Sequence, residues 1–152
     1  MSGKPFTLDS NVLVYAVDFR DPVKQALAEQ IVQTAALRNC LLGLQSVGEF
    51  YTASTRKGIS RPADAGREAL SLLTLFQTFP ASADAYRVAA REAVAGRFSY
   101  WDGVLLASAA EAGCTVILSE DMKDGAKLGP IIVRNPFGPA GLSAAATAAL
   151  AP

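Results

Sequence analysis

The sequence predicts an α/β domain built on a mostly parallel sheet, because short apolar runs of strand length alternate along it with longer stretches of helical spacing. Two further features agree. Glycine or proline breaks the pattern between the elements, and none of the apolar runs approaches the length of a membrane span. At 152 residues and 15.9 kDa the chain suits one domain, large enough to bury a core without disulfides.

Residues 6–17, FTLDSNVLVYAV, begin as a strand reaching Asp9 and continue as a turn or helical start. Asp21-Pro22 signals a helix over residues 23–37, with Ala26, Leu27, Ile31, Val32 and Ala35 on one face. Residues 40–44 form a second strand. Ser46 is expected to start the next helix, running to Lys57 and stopped by Gly58. Arg61-Pro62 begins another, whose apolar face carries Ala69, Leu70, Leu72, Leu73 and Phe76. Residues 76–80 suggest a third strand. Ser82 or Asp84 caps a helix to Ala95, with Gly96 as its stop. Ser99 opens a helix closed by Gly113, followed by a strand over 115–118 and acids at 120 and 121. Lys123-Asp124-Gly125 is a turn, and residues 131–133 form a last strand. The globular part is expected over residues 1–137, with the alanine-rich residues 138–152 as a mobile tail or a docking helix.

Composition narrows the chemistry. Lysine plus arginine equal aspartate plus glutamate at 14 each, so any grip on nucleic acid must be local. Cys40 and Cys114 are far apart, each beside a strand and without CxxC spacing, and read as buried thiols. The N-terminus lacks the apolar segment of a secretion signal, so a cytoplasmic protein is expected. Histidine is absent, which excludes Ser/His/Asp and Cys/His nucleophiles, histidine-based ribonuclease chemistry and imidazole-held zinc. An enzyme of this composition must work mainly with carboxylates.

Ligands of parallel α/β sheets bind beyond the carboxyl ends of the strands. Asp9 ends the first strand, Glu49 follows the second, Asp121 follows the strand ending at Leu118, and Asp102 lies at a helix N-terminus. Taken singly, each has an ordinary role. Ser46/Glu49 and Ser99/Asp102 have capping-box spacing, Asp9-Ser10-Asn11 suits an Asx turn, and Asp121 sits in a polar loop. Together they would repel by roughly 3 kcal/mol per pair at ~5 Å and an effective dielectric of ~20. A hard divalent cation, held by one or two carboxylates with waters completing its shell, suits an oxygen-only donor set.

The series LDSNVLVYA, VGEFY, YWDGVLLASAAEAGC and VILSED resembles the acid series of the PIN-domain nucleases, in particular the VapC-type toxins of toxin-antitoxin pairs. The resemblance covers about residues 6–134. It implies a three-layer α/β/α sandwich, cleavage of single-stranded RNA, and inhibition by a cognate antitoxin. By motif position Asp9 and Asp102 would be the main magnesium ligands, with manganese as a substitute, and Glu49 and Asp121 the other catalytic acids. Asn11 and Ser119 would support them, and Glu120 is an extra acid without an assigned role.

Metal-assisted hydrolysis of a phosphodiester follows as the expected activity. Arg56, Lys57 and Arg61 are either phosphate contacts or a solvated charge cluster. Tyr100 and Trp101 could stack on bases, although core packing is the simpler expectation for Trp101. The apolar residues 69–76 offer a face for a partner or for a homodimer. Two rival readings remain. An aspartate-nucleophile phosphatase would want a second aspartate two residues after Asp9, where Asn11 stands. A non-catalytic binding module of the same fold would not need the complete acid set.

Overall fold

The computed structural model describes residues 3–152. Strand β1 (Phe6–Leu8) leads into a short helix α1 (Ser10–Tyr15), and α2 (Pro22–Ala35) follows with Asp21 as its N-cap. Then come β2 (Leu41–Gly43), α3 (Leu44–Arg56), α4 (Pro62–Leu75) and β3 (Gln77–Phe79). The second half holds α5 (Ala83–Val94), α6 (Tyr100–Glu111), β4 (Val116–Leu118), β5 (Lys127–Leu128) and β6 (Ile131–Arg134). A small hairpin, β7 (Phe137–Gly138) with β8 (Gly141–Leu142), precedes α7 (Ala144–Leu150).

Strands β1, β4 and β6 pair in parallel, with β5 antiparallel on the outer edge. Parallel β2 and β3 join them through a bridge between Phe6 and Cys40, which puts the strands in the order β3-β2-β1-β4-β6-β5. The chain moves outward from β1 to β3 and then returns to the other side of β1 with β4. The crevice above β1 and β4 is therefore the switch point, where such sheets take ligands.

Side chains alternate across this sheet, so each face needs its own cover. Leu8, Leu42 and Leu118 pack with Val12, Ile31, Phe50, Ala146 and Leu150 on one side. Ile117, Ile131 and Val133 pack with Leu105, Leu106 and Ala109 of α6 on the other. The result is a three-layer α/β/α arrangement. Cys40 and Cys114 are free, buried thiols. The alanine-rich end of the chain docks, with Ala146 and Leu150 buried and the Leu150 carbonyl accepting a 2.8 Å bond from Arg38 Nε. Among the described residues no helix is long and apolar enough to cross a membrane.

One helix start differs from expectation. α3 begins at Leu44, not Ser46, and its N-cap Gly43 supplies no side-chain bond. A Cβ at Gly43 would come within 3.1–3.2 Å of Leu105 and the Phe79 ring, so the strand-to-helix turn is set by close packing instead of a capping hydroxyl. Ser46 lies inside the helix, fully buried, and its Oγ has no hydrogen-bond partner.

Candidate active site

Asp9 sits at the carboxyl end of β1, buried, with its backbone N–H donating to the Leu118 carbonyl at 3.0 Å. Its carboxylate caps α1 by accepting from Ser10 N at 2.7 Å through Oδ1. Oδ2 accepts from Ser119 Oγ at 2.7 Å and from Asn11 Nδ2 at 3.1 Å. Asn11 also donates to Ser119 Oγ and accepts from Glu120 N at 3.2 Å, so the α1 start and the loop after β4 are tied together. A carboxylate offers about four lone-pair sites. Three are filled, leaving one on Oδ1.

The other acids arrive from three elements. Glu49 is half-buried on α3, Asp102 is half-buried in the first turn of α6, and Asp121 is exposed just beyond β4. The expected box at Ser99 is half formed: Ser99 Oγ accepts from the Asp102 backbone N–H at 3.2 Å, an arrangement that engages the amide and not the carboxylate. No ion pair among the described residues involves Asp9, Glu49, Asp102 or Asp121.

Burial raises the Asp9 pKa above the ordinary aspartate value against the pull of Ser119 and Ser10, and repulsion from Asp102 and Asp121 adds to it. Glu49 is also raised, first by burial and then by the charges of Asp9 and Asp102. Asp9 thus feels the charges of Asp102 and Asp121, and Glu49 those of Asp9 and Asp102. Among the described residues, however, no three acids are gathered closely enough to enclose an ion by themselves. The donor set fits a hard cation such as magnesium, which keeps several waters and takes only one or two carboxylates directly.

A cleft of about 730 Å³ opens over this edge, lined by Asn11, Glu49 and Asp121 together with Arg56 and Lys57 at the far end of α3. Neither Arg56 nor Lys57 makes an ion pair among the described residues, whereas Arg61 lies outside the cleft and pairs with Asp64. Arg20 also reaches the cleft but is held by Asp18 through two bonds of 2.8 and 2.9 Å.

Glu120 turns away from the acid set. It accepts from Tyr15 Oη at 2.6 Å and from Lys24 Nζ at 2.7 Å, and Lys24 Nζ lies 4.7 Å from the Tyr15 ring centre and 5.1 Å from that of Phe137. Burial would raise the Glu120 pKa, but these two donors outweigh it and hold the carboxyl below its ordinary value. Glu120 is thus a tether for the loop that carries Asp121. Tyr15 and Lys24 lie 105 and 96 residues away, so no local signal in the sequence could have found them.

Trp101 corrects a second expectation. It is not core; it is 54% exposed and lines the cleft beside Gln45, which donates from Nε2 to the Trp101 carbonyl at 3.0 Å.

Residues 6–123 match the family model described as the PIN domain. The chain belongs to the PIN-domain family. Solved structures agree in fold with this PIN domain. VapC20 of Mycobacterium tuberculosis, described as a Sarcin-Ricin loop cleaving toxin, has a TM-score of 0.63 at 18% identity, covering 76% of this chain and 89% of that one. A toxin-antitoxin complex from Klebsiella pneumoniae has a TM-score of 0.58 at 18% identity, with 83% and 94% covered. VapBC2 from Rickettsia felis, bound to a DNA fragment from its promoter, has a TM-score of 0.61 at 12% identity, with 86% and 98% covered. At such identities the likeness is one of fold. No curated protein is significantly similar in sequence.

Proposed function

We propose that this PIN domain is a magnesium-dependent endoribonuclease that cleaves single-stranded RNA and acts in the cytoplasm as the toxin of a type II toxin-antitoxin pair. The observation that carries the reading is Asp9: a buried carboxylate at the sheet's switch point, fixed by three donors, with one lone-pair site left and the unpaired acids Asp102 and Asp121 near enough to repel it. Burying acids in this way is costly unless a cation joins them.

Asp9 and Asp102 are the main ligands in this reading, with Glu49 and Asp121 completing the site. A bound magnesium or manganese ion supplies Lewis acidity toward phosphate oxygens and a lower pKa for water. Asn11 and Ser119 hold the Asp9 carboxylate in one orientation. Glu49 and Asp121 both line the cleft, where one or the other orients the attacking water and accepts its proton. Arg56 and Lys57 neutralise flanking phosphates of the strand.

An antitoxin partner is supported by the fold shared with structures solved as toxin-antitoxin complexes. The exposed Leu70, Leu73 and Leu75 of α4 supply apolar surface for such a partner or for a homodimer.

The test is cleavage of single-stranded RNA with magnesium and with chelator. Products that form with magnesium and vanish with chelator are expected. Chelator-resistant cleavage would remove the metal mechanism. A phosphorylated Asp9 with hydrolysis of small phosphate esters would favour the phosphatase instead, and RNA binding without cleavage the non-catalytic module.

A further inference from the structure

Beside the acid edge lies a second hollow of about 400 Å³, between the start of α3 and the paired helices α5 and α6. It shares Gln45 and Trp101 with the main cleft, so the two adjoin at these residues. Tyr86 of α5 and Trp101 of α6 line it, and Tyr100 packs against both rings from outside the hollow. Trp101 packs edge-on to Tyr100, with centroids 5.3 Å apart, and to Tyr86 at 6.2 Å. All three remain exposed, Trp101 by 54%, Tyr100 by 39% and Tyr86 by 37%. A folded domain usually buries much of such rings, so an exposed group of three, two of them lining the hollow, calls for an occupant.

Helix α3 sets the order of groups along the cleft. Gln45, bonded to the Trp101 carbonyl, lies in its first turn; Glu49 follows four residues later, about 6 Å along the axis at 1.5 Å per residue. Arg56 and Lys57 close the far end, roughly 10 Å beyond Glu49. Aromatic surface, acid and cations thus follow one another on a single line. A strand of nucleic acid offers the matching series: a flat base for the rings, then a phosphate at the acids, then phosphates for the cations. A duplex cannot present that base, because its faces are already stacked on neighbours.

Resting on the nuclease reading above, we propose that Trp101, with Tyr86 and Tyr100 behind it, forms a stacking platform for one unpaired nucleobase next to the scissile phosphate. Gln45 is its positioning residue, fixing the Trp101 backbone. The platform selects single-stranded RNA by the face of the base instead of its hydrogen-bonding edge, so it favours an unstacked nucleotide with little preference for its identity.

Trp101 is the chain's one tryptophan, so its emission reports on the platform directly. The full chain is titrated with a short single-stranded RNA in the presence of chelator, so that nothing is cleaved. Quenching by this RNA, absent with an abasic ribose-phosphate strand of equal length and with duplex RNA, is the expected result. Trp101→Ala should weaken binding of a dye-labelled single strand by about 5- to 150-fold, the span expected of one stacked base, and Trp101→Phe should recover part of it.

Emission unchanged by an RNA that binds, or equal quenching by the abasic strand or the duplex, would overturn the platform. So would an emission change that follows protein concentration without RNA, since a second copy of the chain would then be the occupant. Quenching without any magnesium-dependent cleavage leaves the platform standing and removes the nuclease. Cleavage with silent emission does the reverse.

Discussion

Replacing Ser119 by alanine tests how the site is held together. The Ser119 hydroxyl is fully buried and saturated: it donates to Asp9 Oδ2 at 2.7 Å and accepts from Asn11 Nδ2 at 3.2 Å and Met122 N at 3.4 Å. Alanine removes all three bonds. Asn11 keeps its bond to Asp9, but the Met122 amide is left without that partner. A hydrogen bond to a charged group contributes about 1.5–3 kcal/mol, and an orphaned buried donor costs ~1 kcal/mol more. The loss of ~3 kcal/mol should lower the unfolding midpoint by about 6–12 °C in a chain of this size.

The pH dependence has a definite sign. The Ser119 bond favours ionised Asp9, so by itself it lowers that pKa, although burial leaves the net value raised. Its contribution is therefore present while Asp9 is charged and fades as pH falls through the Asp9 pKa. Thermal unfolding in chelator, compared for wild type and Ser119→Ala, should show a gap that is wide at neutral pH and narrows in acid to the part left by the Met122 amide. The variant should also need higher pH or more magnesium for cleavage. A gap that is absent, or equal at every pH, would show that Ser119 does not act through the charged Asp9 carboxylate.

Further outcomes follow from the same geometry. Asp9 and Glu49 both have raised folded pKa values, so their own contribution to stability in chelator is full below the ordinary carboxylate range and is lost as pH rises through the raised values; magnesium should shrink that loss, read as the difference between melting curves with magnesium and with chelator across a pH series. Glu120→Gln weakens the bonds to Tyr15 and Lys24, both only partly buried, and should cost ~1 kcal/mol in urea unfolding while slowing cleavage only a few-fold; loss of all cleavage would make Glu120 a ligand and not a tether. Gly103→Ala brings a Cβ within 3.0 Å of Ala89 Cα, a backbone atom that cannot swing aside, so α5 and α6 must separate at a cost of about 1–3 kcal/mol, measurable by urea unfolding.

The parallel α/β order was legible because strand-length apolar runs and helix stops are local signals. Gly58, Gly96 and Gly113 end their helices at φ values of 70°, 74° and 93°, a conformation that glycine adopts without strain. The start of α3 was not legible, because Gly43 works by letting Phe79 and Leu105 come close, a contact made across the fold. Ser46 offered a capping hydroxyl that the turn does not use.

At Asp102 the spacing from Ser99 suggested that capping would occupy the carboxylate. The structure uses the Asp102 amide instead, and it is Asp9 whose carboxylate both caps a helix and faces the other acids. Trp101 misled for a general reason: composition makes tryptophan a core residue, and nothing local reveals a ring left open between two hollows. The Tyr15–Glu120–Lys24 tether joins segments that only the folded chain brings together.

Whether Asp9 and Asp102 hold a metal ion is read from binding of Mn2+ by the folded protein, followed through the paramagnetic resonance signal of the free ion as protein is added. Saturable uptake by the wild type, competed by magnesium, is expected, with its loss in both Asp9→Asn and Asp102→Asn variants that remain folded. Uptake of the same strength in both variants would show that these two aspartates do not hold the ion.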